Sequence, residues 1–297
     1  IRRPPRSTQS RSSAASDVYK RQIHMLVAFD FGISNTDIGI YHNKETRFFS
    51  TRTLNQELNG ELIKNLLALN SLEMSSIKCI GVTGGKSSQL KGVIDSIPIM
   101  AINEIDAIGH GAKILYGIEE ESTLVVSAGT GTACVQVLGN DFNHLGGIAV
   151  GGGMLEGLGS LLFQNSHGQE INEFAAKGAR EKLDLLIGDV VNKIGTLSPS
   201  ITAVNFGKAK IASADTMENT SAAMCNMIGE VIGTVAYLNA LLIGSSKACF
   251  VGRTSYLSEV IKGIDERLEL AGISGQYSEQ REYGNVIGVI EKLKATL

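Results

Sequence analysis

Cysteine is scarce in this 297-residue chain, and the four present, Cys79, Cys134, Cys225 and Cys249, stand far apart, with no CxxC pair and no histidine at ligand spacing. The pattern excludes a disulfide framework and a thiolate zinc site, and leaves reduced, mostly buried thiols of the kind a cytoplasmic protein carries. Proline is equally rare, with four residues. The most apolar stretch, MCNMIGEVIGTVAYLNALLIG, is interrupted by Asn226, Glu230 and Asn239, which makes it a core helix and not a membrane span. Positive charge is also lacking. The net charge is −3, but the first 24 residues carry +5, so the remainder stands at −8. An acidic body argues against nucleic acid as a partner. Those first residues, rich in Arg, Ser and Pro and without an apolar period, read as a disordered tail or a cloning scar, and Met25 is taken as the natural start.

Glycine is what the chain has in quantity: 34 residues, clustered between apolar stretches. With 43% hydrophobic residues there is material for one large domain or two medium ones around a packed core. MLVAF, DIGIYHN and TRFFST read as strands with turn residues between them. LNGELIKNLLALNSL repeats Leu62, Leu66, Leu67 and Leu69 at helical spacing, and IKCIGVTGG is a short buried strand ending on glycines. STLVVSAGTGTACVQVLGN repeats the strand, glycine turn, strand device first met at Asp30, which suggests two similar lobes. GGIAVGGGMLEGLGSLLF passes from a glycine cluster into a helix. SAAMCNMIGEVIGTVAYLNALL places Met224, Met227, Ile228, Val231, Val235, Leu238 and Leu242 on one helical stripe. KACFVGRTS is another short strand with a glycine at its end, and YGNVIGVIEKLKATL closes the chain as a glycine-led helix. The class is α/β with two sheet-centred lobes.

A strand that ends in a tight Gly, Ser or Thr turn lets successive backbone amides converge with no side chain in the way, as a polyphosphate requires. Three such turns occur: Gly32, Ser34, Asn35 and Thr36 after Asp30; Gly129, Thr130, Gly131 and Thr132; and Gly151, Gly152 and Gly153. Any one alone is an ordinary hairpin or helix-start turn more often than a ligand cradle. GVTGGKSS is not a Walker A loop, because the first glycine of that motif would fall on Ile80, and GGGMLEG does not sit in a dinucleotide-binding βαβ unit. Asp30 fits two roles, a carboxylate holding Mg²⁺ through water or an Asx-turn cap. Glu104, near a helix start in PIMAINEIDAIGHGA, fits a first-turn acid. In a kinase-like cleft it would fit a base for an acceptor hydroxyl.

With these residues in view, the sequence resembles the type II pantothenate kinases, of the superfamily that includes actin, hexokinase and the heat-shock chaperone ATPases. SAGTGTACVQV, LGGIAVGGGMLEGLGSLL, TAVNFGKA, IGEVIGTVA and NEIDAIGHG carry the resemblance. It implies an actin-like ATPase fold of two ribonuclease-H-like lobes, 25–118 and 119–297, with ATP and Mg²⁺ in the cleft between them. Residues 30–37 would form the first phosphate loop and residues 129–132 the second. Gly151, Gly152, Gly153, Met154 and Glu156 would approach the nucleotide, and Gly252 and Arg253 would lie by the adenosine. Glu104 falls on the general base. His144, Gly146 and Gly147 fall on the substrate side, and the helix at about 221–242 on a homodimer interface. Two departures stand out. The first loop, DFGISNTD, has Ile33, Ser34 and Asp37 where the family pattern has glycine, threonine and lysine. His144 stands where an arginine is usual, and an imidazole cannot supply the permanently charged fork of a guanidinium. The expected activity is phosphorylation of pantothenate at its primary hydroxyl. The alternatives are a kinase acting on another hydroxylated metabolite or an amino sugar, or an ATP-binding regulator without an acceptor.

Overall fold

The computed structural model describes residues 25–53, 57–85, 87–90, 92–191, 198–211 and 216–296. The expected tail at 1–24, like Lys86 of the rejected Walker segment, lies outside them. In the first sheet, β1 (Met25–Phe31), β2 (Asn35–His42) and β3 (Glu45–Arg52) form an antiparallel meander. β4 (Ile77–Thr83) lies parallel to β1 on its other side, followed by β6 (Ile97–Ala101), with β5 (Gly92–Ile94) at the edge. The second sheet repeats this plan. β7 (Thr123–Ala128), β8 (Thr132–Leu138) and β9 (Asp141–Ile148) form the meander. After the short pair β10 (Leu185–Leu186) and β11 (Thr202–Val204), β12 (Lys247–Val251) adds parallel to β7 and β13 (Ser274–Gln276) closes the edge. The recurrence suspected from the two glycine turns is therefore a recurrence of sheet topology: in both sheets the turn between the first two strands and the end of the next parallel strand lie at the same edge.

The helices are α1 (Gly60–Leu69), α2 (Glu104–Tyr116), α3 (Gly152–Phe163), α4 (Gly168–Ala175), α5 (Ile187–Val190), α6 (Met217–Ile243), α7 (Ser258–Leu270) and α8 (Gly284–Thr296). Strand alternation divides β1 between two cores. Val27 and Phe29 pack with Ile63, Leu66 and Leu67 of α1, while Leu26 and Ala28 pack with Val286, Val289 and Leu293 of α8. The last helix thus covers the first sheet, although its sequence falls in the 119–297 span. Reciprocally, Ile108 and Ala112 of α2 pack with Val125, Val135 and Cys249 of the second sheet. The two exchanged helices meet at glycines. A Cβ on Gly288 would fall 1.9 Å from the Ala107 carbonyl oxygen, and one on Gly111 equally close to the Gly284 carbonyl oxygen.

Two expected helical stripes are redrawn. On α1, Leu69 faces solvent and Ile63 takes the buried place. On α6, Met224 and Ile228 are buried as expected, but Leu238 and Leu242 are exposed. The packed face runs instead through Cys225, Gly229, Ile232, Gly233, Ala236 and Ala240. Close approach decided this: a Cβ on Gly229 would sit 2.2 Å from the Val260 carbonyl oxygen, so α7 packs on the small residues of α6 and not on its largest. Glu230 is paired within this core to Arg267 at 2.8 Å. Gly146 and Gly147 belong to β9, and the helix that the glycine cluster was expected to lead into begins only at Gly152.

Candidate active site

A cleft of about 640 Å³ opens between the two sheets, lined from both lobes by the turns at which the strands end. From the first lobe come Asp30, Gly32, Ile33, Ser34, Asn35, Asp37 and the Gly84–Gly85 turn after β4, with Glu104 at the start of α2. From the second come Gly129, Thr130, Gly131, Thr132, His144, Gly147, Gly252 and Arg253. Ser34 Oγ and Thr130 Oγ1 share a hydrogen bond of 3.0 Å, so the two turns touch across the cleft.

The backbone bookkeeping at these turns is uneven. In the first, the carbonyls are tied back, Gly32 accepting from Thr53 Oγ1 at 2.7 Å and Ser34 from the Thr53 amide at 3.0 Å. The amides of Ile33 and Ser34 donate to nothing among the described residues. In the second, Gly129 donates to the Gly131 carbonyl, whereas the amides of Thr130 and Gly131 are without acceptors among the described residues. Ile33 is exposed and Ser34, Thr130 and Gly131 are half-buried, so these four donors are open to solvent, and their convergence from two facing turns forms the kind of backbone concavity that takes an anion.

The third turn plays another part than expected. Gly152 and Gly153 donate to the carbonyls of Gly129 and Thr130, and a Cβ on Gly151 would lie 2.6 Å from the Gly129 oxygen. These glycines brace the second turn from behind and do not line the cleft; Met154 and Glu156, on the helix they start, do not line it either. Thr36 is also turned away, because strand alternation points it to the opposite face, where it meets Thr53 Oγ1 at 3.2 Å. Gly146 is absent from the lining too. A bulge that pairs Val135 with His144 and Cys134 with Gly146 separates these neighbours and aims His144 and Gly147 at the cleft.

Asp30, the next-to-last residue of β1, lies on the cleft floor. Its Oδ2 accepts from Asn285 Nδ2 at 2.9 Å, and its Oδ1 fills the space a Gly84 side chain would need, 2.2 Å from the position of such a Cβ. Burial lifts the Asp30 carboxyl from 3.8 to about 7 against the lowering by Asn285; the charges of Asp37 and Glu104 push the same way as burial, and Arg253 opposes them. Asp37 lies directly opposite Asp30 in the strand register and is buried, held by a bidentate pair with Arg253 at 2.6 and 2.7 Å. Among the described residues no three His, Cys, Asp or Glu side chains gather into a cation cage. One carboxylate beside a phosphate site suits Mg²⁺, which keeps several waters and is held by one or two carboxylates plus substrate phosphates.

Glu104 is the first residue of α2, whose N-terminus is capped by Asn103 Oδ1 accepting from the Ile105 amide at 2.8 Å. Both of its readings survive in the structure, since it is a first-turn acid and also faces the cleft.

A family model described as Fumble matches residues 35–260, more than half of the chain. The chain belongs to the Fumble family. Among relatives, the type II pantothenate kinase of Bacillus anthracis is 30% identical over 77% of this chain and 82% of its own length. That of Staphylococcus epidermidis is 27% identical over 79% and 89%. The Fumble-family fold extends to solved structures at low identity. An activator of 2-hydroxyisocaproyl-CoA dehydratase from Clostridium difficile with bound ADPNP superposes with a TM-score of 0.60 at 13% identity, over 92% of this chain and 96% of that one. A ROK family glucokinase from Streptomyces griseus in complex with glucose and AMPPNP gives 0.57 at 11%, over 90% and 98%. These likenesses are of fold, the two-lobed actin-like ATPase architecture.

Several cleft residues escaped the sequence reading. Asn285 and Gly284 open the last helix, and Arg281 and Glu282 precede it. They reach the site only because α8 returns to the first sheet, and nothing in their local sequence signals that return. Gly84 and Gly85 read in sequence as the glycine end of a buried strand and as part of a failed Walker motif, not as cleft residues.

Proposed function

We infer that this chain is a small-molecule kinase that transfers the terminal phosphoryl group of ATP to the primary hydroxyl of pantothenate, giving 4′-phosphopantothenate, the first step towards coenzyme A. The observation that carries the reading is the set of unspent amides on two facing turns, Ile33 and Ser34 against Thr130 and Gly131, with a carboxylate, Glu104, in the same cleft. Family membership and the pantothenate kinase relatives support this choice of acceptor. In the reaction Glu104 takes the hydroxyl proton as the acceptor oxygen bonds to phosphorus and the bond to the leaving ADP oxygen breaks. The amides of the two turns stabilise charge on the transferring group. Mg²⁺, with Asp30 as its protein partner, supplies charge neutralisation at the terminal phosphates when bound. His144 and Gly147 lie where the acceptor would be held. We assign the chain to the cytoplasm and read it as a homodimer.

Glu104→Gln is expected to lower kcat by about 10²- to 10⁴-fold while ATP affinity stays within twofold, measured by coupled ADP release and by calorimetry. Wild-type turnover in that variant would remove Glu104 from the mechanism. His144 in place of the usual arginine favours testing a second acceptor class. A screen of hydroxylated metabolites and amino sugars should rank pantothenate at or near the top, and a clear preference for an amino sugar would replace this reading. A regulator without an acceptor would show nucleotide binding and no heat from any small acceptor.

A further inference from the structure

The first loop presents an electrostatic contradiction. A turn that grips a polyphosphate wants a cation beside it, yet the register sets Asp37 directly across from Asp30, two carboxylates side by side at the mouth of the turn. Like charges opposed on adjacent strands are unfavourable in themselves, and both would repel the incoming anion.

We propose that Arg253, reaching across the cleft from the second lobe, is the cation for the nucleotide's phosphate chain that the first loop lacks, and that Asp37 is its cradle. This deepens the kinase reading and rests on it. The backbone launches the side chain in the required direction. Gly252 has φ +93, and a Cβ there would lie 2.5 Å from the Ala128 carbonyl oxygen, so the turn after β12 closes tightly on β7. From that turn the guanidinium spans to β2, where Nη1 and Nη2 donate to the two Asp37 oxygens at 2.7 and 2.6 Å and Nη2 also donates to Ser50 Oγ at 2.9 Å. Tyr283 covers one face, 5.7 Å from ring centroid to guanidinium carbon.

A guanidinium has five donor hydrogens. Three are used in these contacts and Tyr283 shares a further side-chain hydrogen bond, leaving one for a ligand on a side chain that is 36% exposed and lines the cleft. The carboxylate it holds, Asp37, is the register partner of Asp30 on the cleft floor. The second arginine of the cleft is otherwise engaged. Arg281 donates to Ser255 Oγ at 3.0 Å, to the Ser255 carbonyl at 2.8 Å and to the Ser278 carbonyl at 2.9 Å, with Tyr256 stacked at 3.5 Å. The family resemblance implies a place for Arg253 by the adenosine. Its charged end is carried to the opposite wall, beside the turn of Ile33 and Ser34.

The arrangement has a consequence a lysine on the loop would not have. The cation is tethered in one lobe and cradled in the other, so phosphate binding and lobe closure draw on the same side chain.

The test is calorimetric titration of the full chain with Mg·ATP and with adenosine, using the wild type, Arg253→Ala, Arg253→Lys and the double variant Arg253→Ala with Asp37→Lys. Loss of a charge-assisted contact should weaken ATP by about 10- to 100-fold in Arg253→Ala. Adenosine should stay within twofold, Arg253→Lys should fall between, and the double variant, which returns a cation to the loop, should regain most of the lost ATP affinity. An unchanged ATP affinity in Arg253→Ala overturns the proposal. So does an equal loss for adenosine, or a double variant no better than the single one. Acceptor chemistry is not involved, so a wild type that binds ATP but leaves pantothenate untouched would sink the proposed acceptor and not the role of Arg253.

Discussion

Asp30 shows at the scale of one residue how a binding site is built at the expense of stability. Its carboxyl is buried, lifted to about 7, and faced by Asp37 and Glu104. The folded value lies above the ordinary 3.8, so the native state holds on to the proton where the unfolded chain releases it. The side chain's contribution to stability is therefore complete below about pH 4 and is lost as the pH rises through about 7. Asp30→Asn keeps the shape and removes the charge. In ligand-free protein it is expected to raise Tm by about 2–5 °C at pH 8, with the gain shrinking as the pH falls and vanishing only near pH 4, while phosphoryl transfer is lost. Thermal melts across that pH range check this, and a Tm difference that does not vary with pH would mean that burial of the charge is not what is being relieved. The sequence singled out Asp30 because it ends an apolar strand before a glycine turn. It could not single out Asn285, which bonds Asp30 from 255 residues away. Nor could it show that Asp37, which reads as a misplaced charge on the loop, is paired with Arg253.

Among the elements, the crossing of α2 and α8 is where the lobes are joined. Each helix lies on the other lobe's sheet, and their backbones approach so closely at Gly111 and Gly288 that a methyl group on either would meet a carbonyl oxygen. Gly288→Ala is expected to cost about 1–3 kcal/mol, read as a lower denaturation midpoint, because the clash is with backbone that cannot swing aside. Glu104 begins α2 and Asn285 follows the first residue of α8, so the variant should also lower kcat by moving both relative to Asp30. Stability and turnover both equal to the wild type would show that the helices separate without cost. The strands, the glycine turns and the helix at Glu104 were legible in sequence because each rests on local periodicity or turn chemistry. What was not legible depends on packing between distant segments. Large apolar side chains suggested one face for α6, and α7 chose another because Gly229 and Gly233 let it come closer. The braced position of Gly151, Gly152 and Gly153 behind Thr130 is likewise a matter of tertiary contact, and no spacing rule separates a glycine that faces a ligand from one that supports its neighbour.

For the whole molecule, the face of α6 that α7 leaves uncovered carries Leu238, Leu241 and Leu242, which are 53%, 56% and 74% exposed. Three exposed leucines on the last two turns of a 27-residue helix are a poor surface for water and a suitable one for a second copy of the chain. The opposite face of α6 packs in one cluster with Leu124 and Val126 of β7 and Phe250 of β12, the strands that carry the turns at Gly129 and Gly252. A dimer formed on α6 would hold the second lobe fixed and leave closure of the cleft to the first, with Ser34 and Asp37 moving against Thr130 and Arg253. If the chain pairs through this face, Leu238→Glu with Leu242→Glu is expected to give a folded monomer in sedimentation measurements at micromolar concentration, because two carboxylates on each copy would have to be desolvated at the interface. A wild-type chain that sediments as a monomer, or a double variant that remains dimeric, would assign those leucines to another purpose. If the monomer also shows weaker ATP binding with Glu104 and Arg253 intact, the fixed second lobe is itself part of how the phosphate site is held ready.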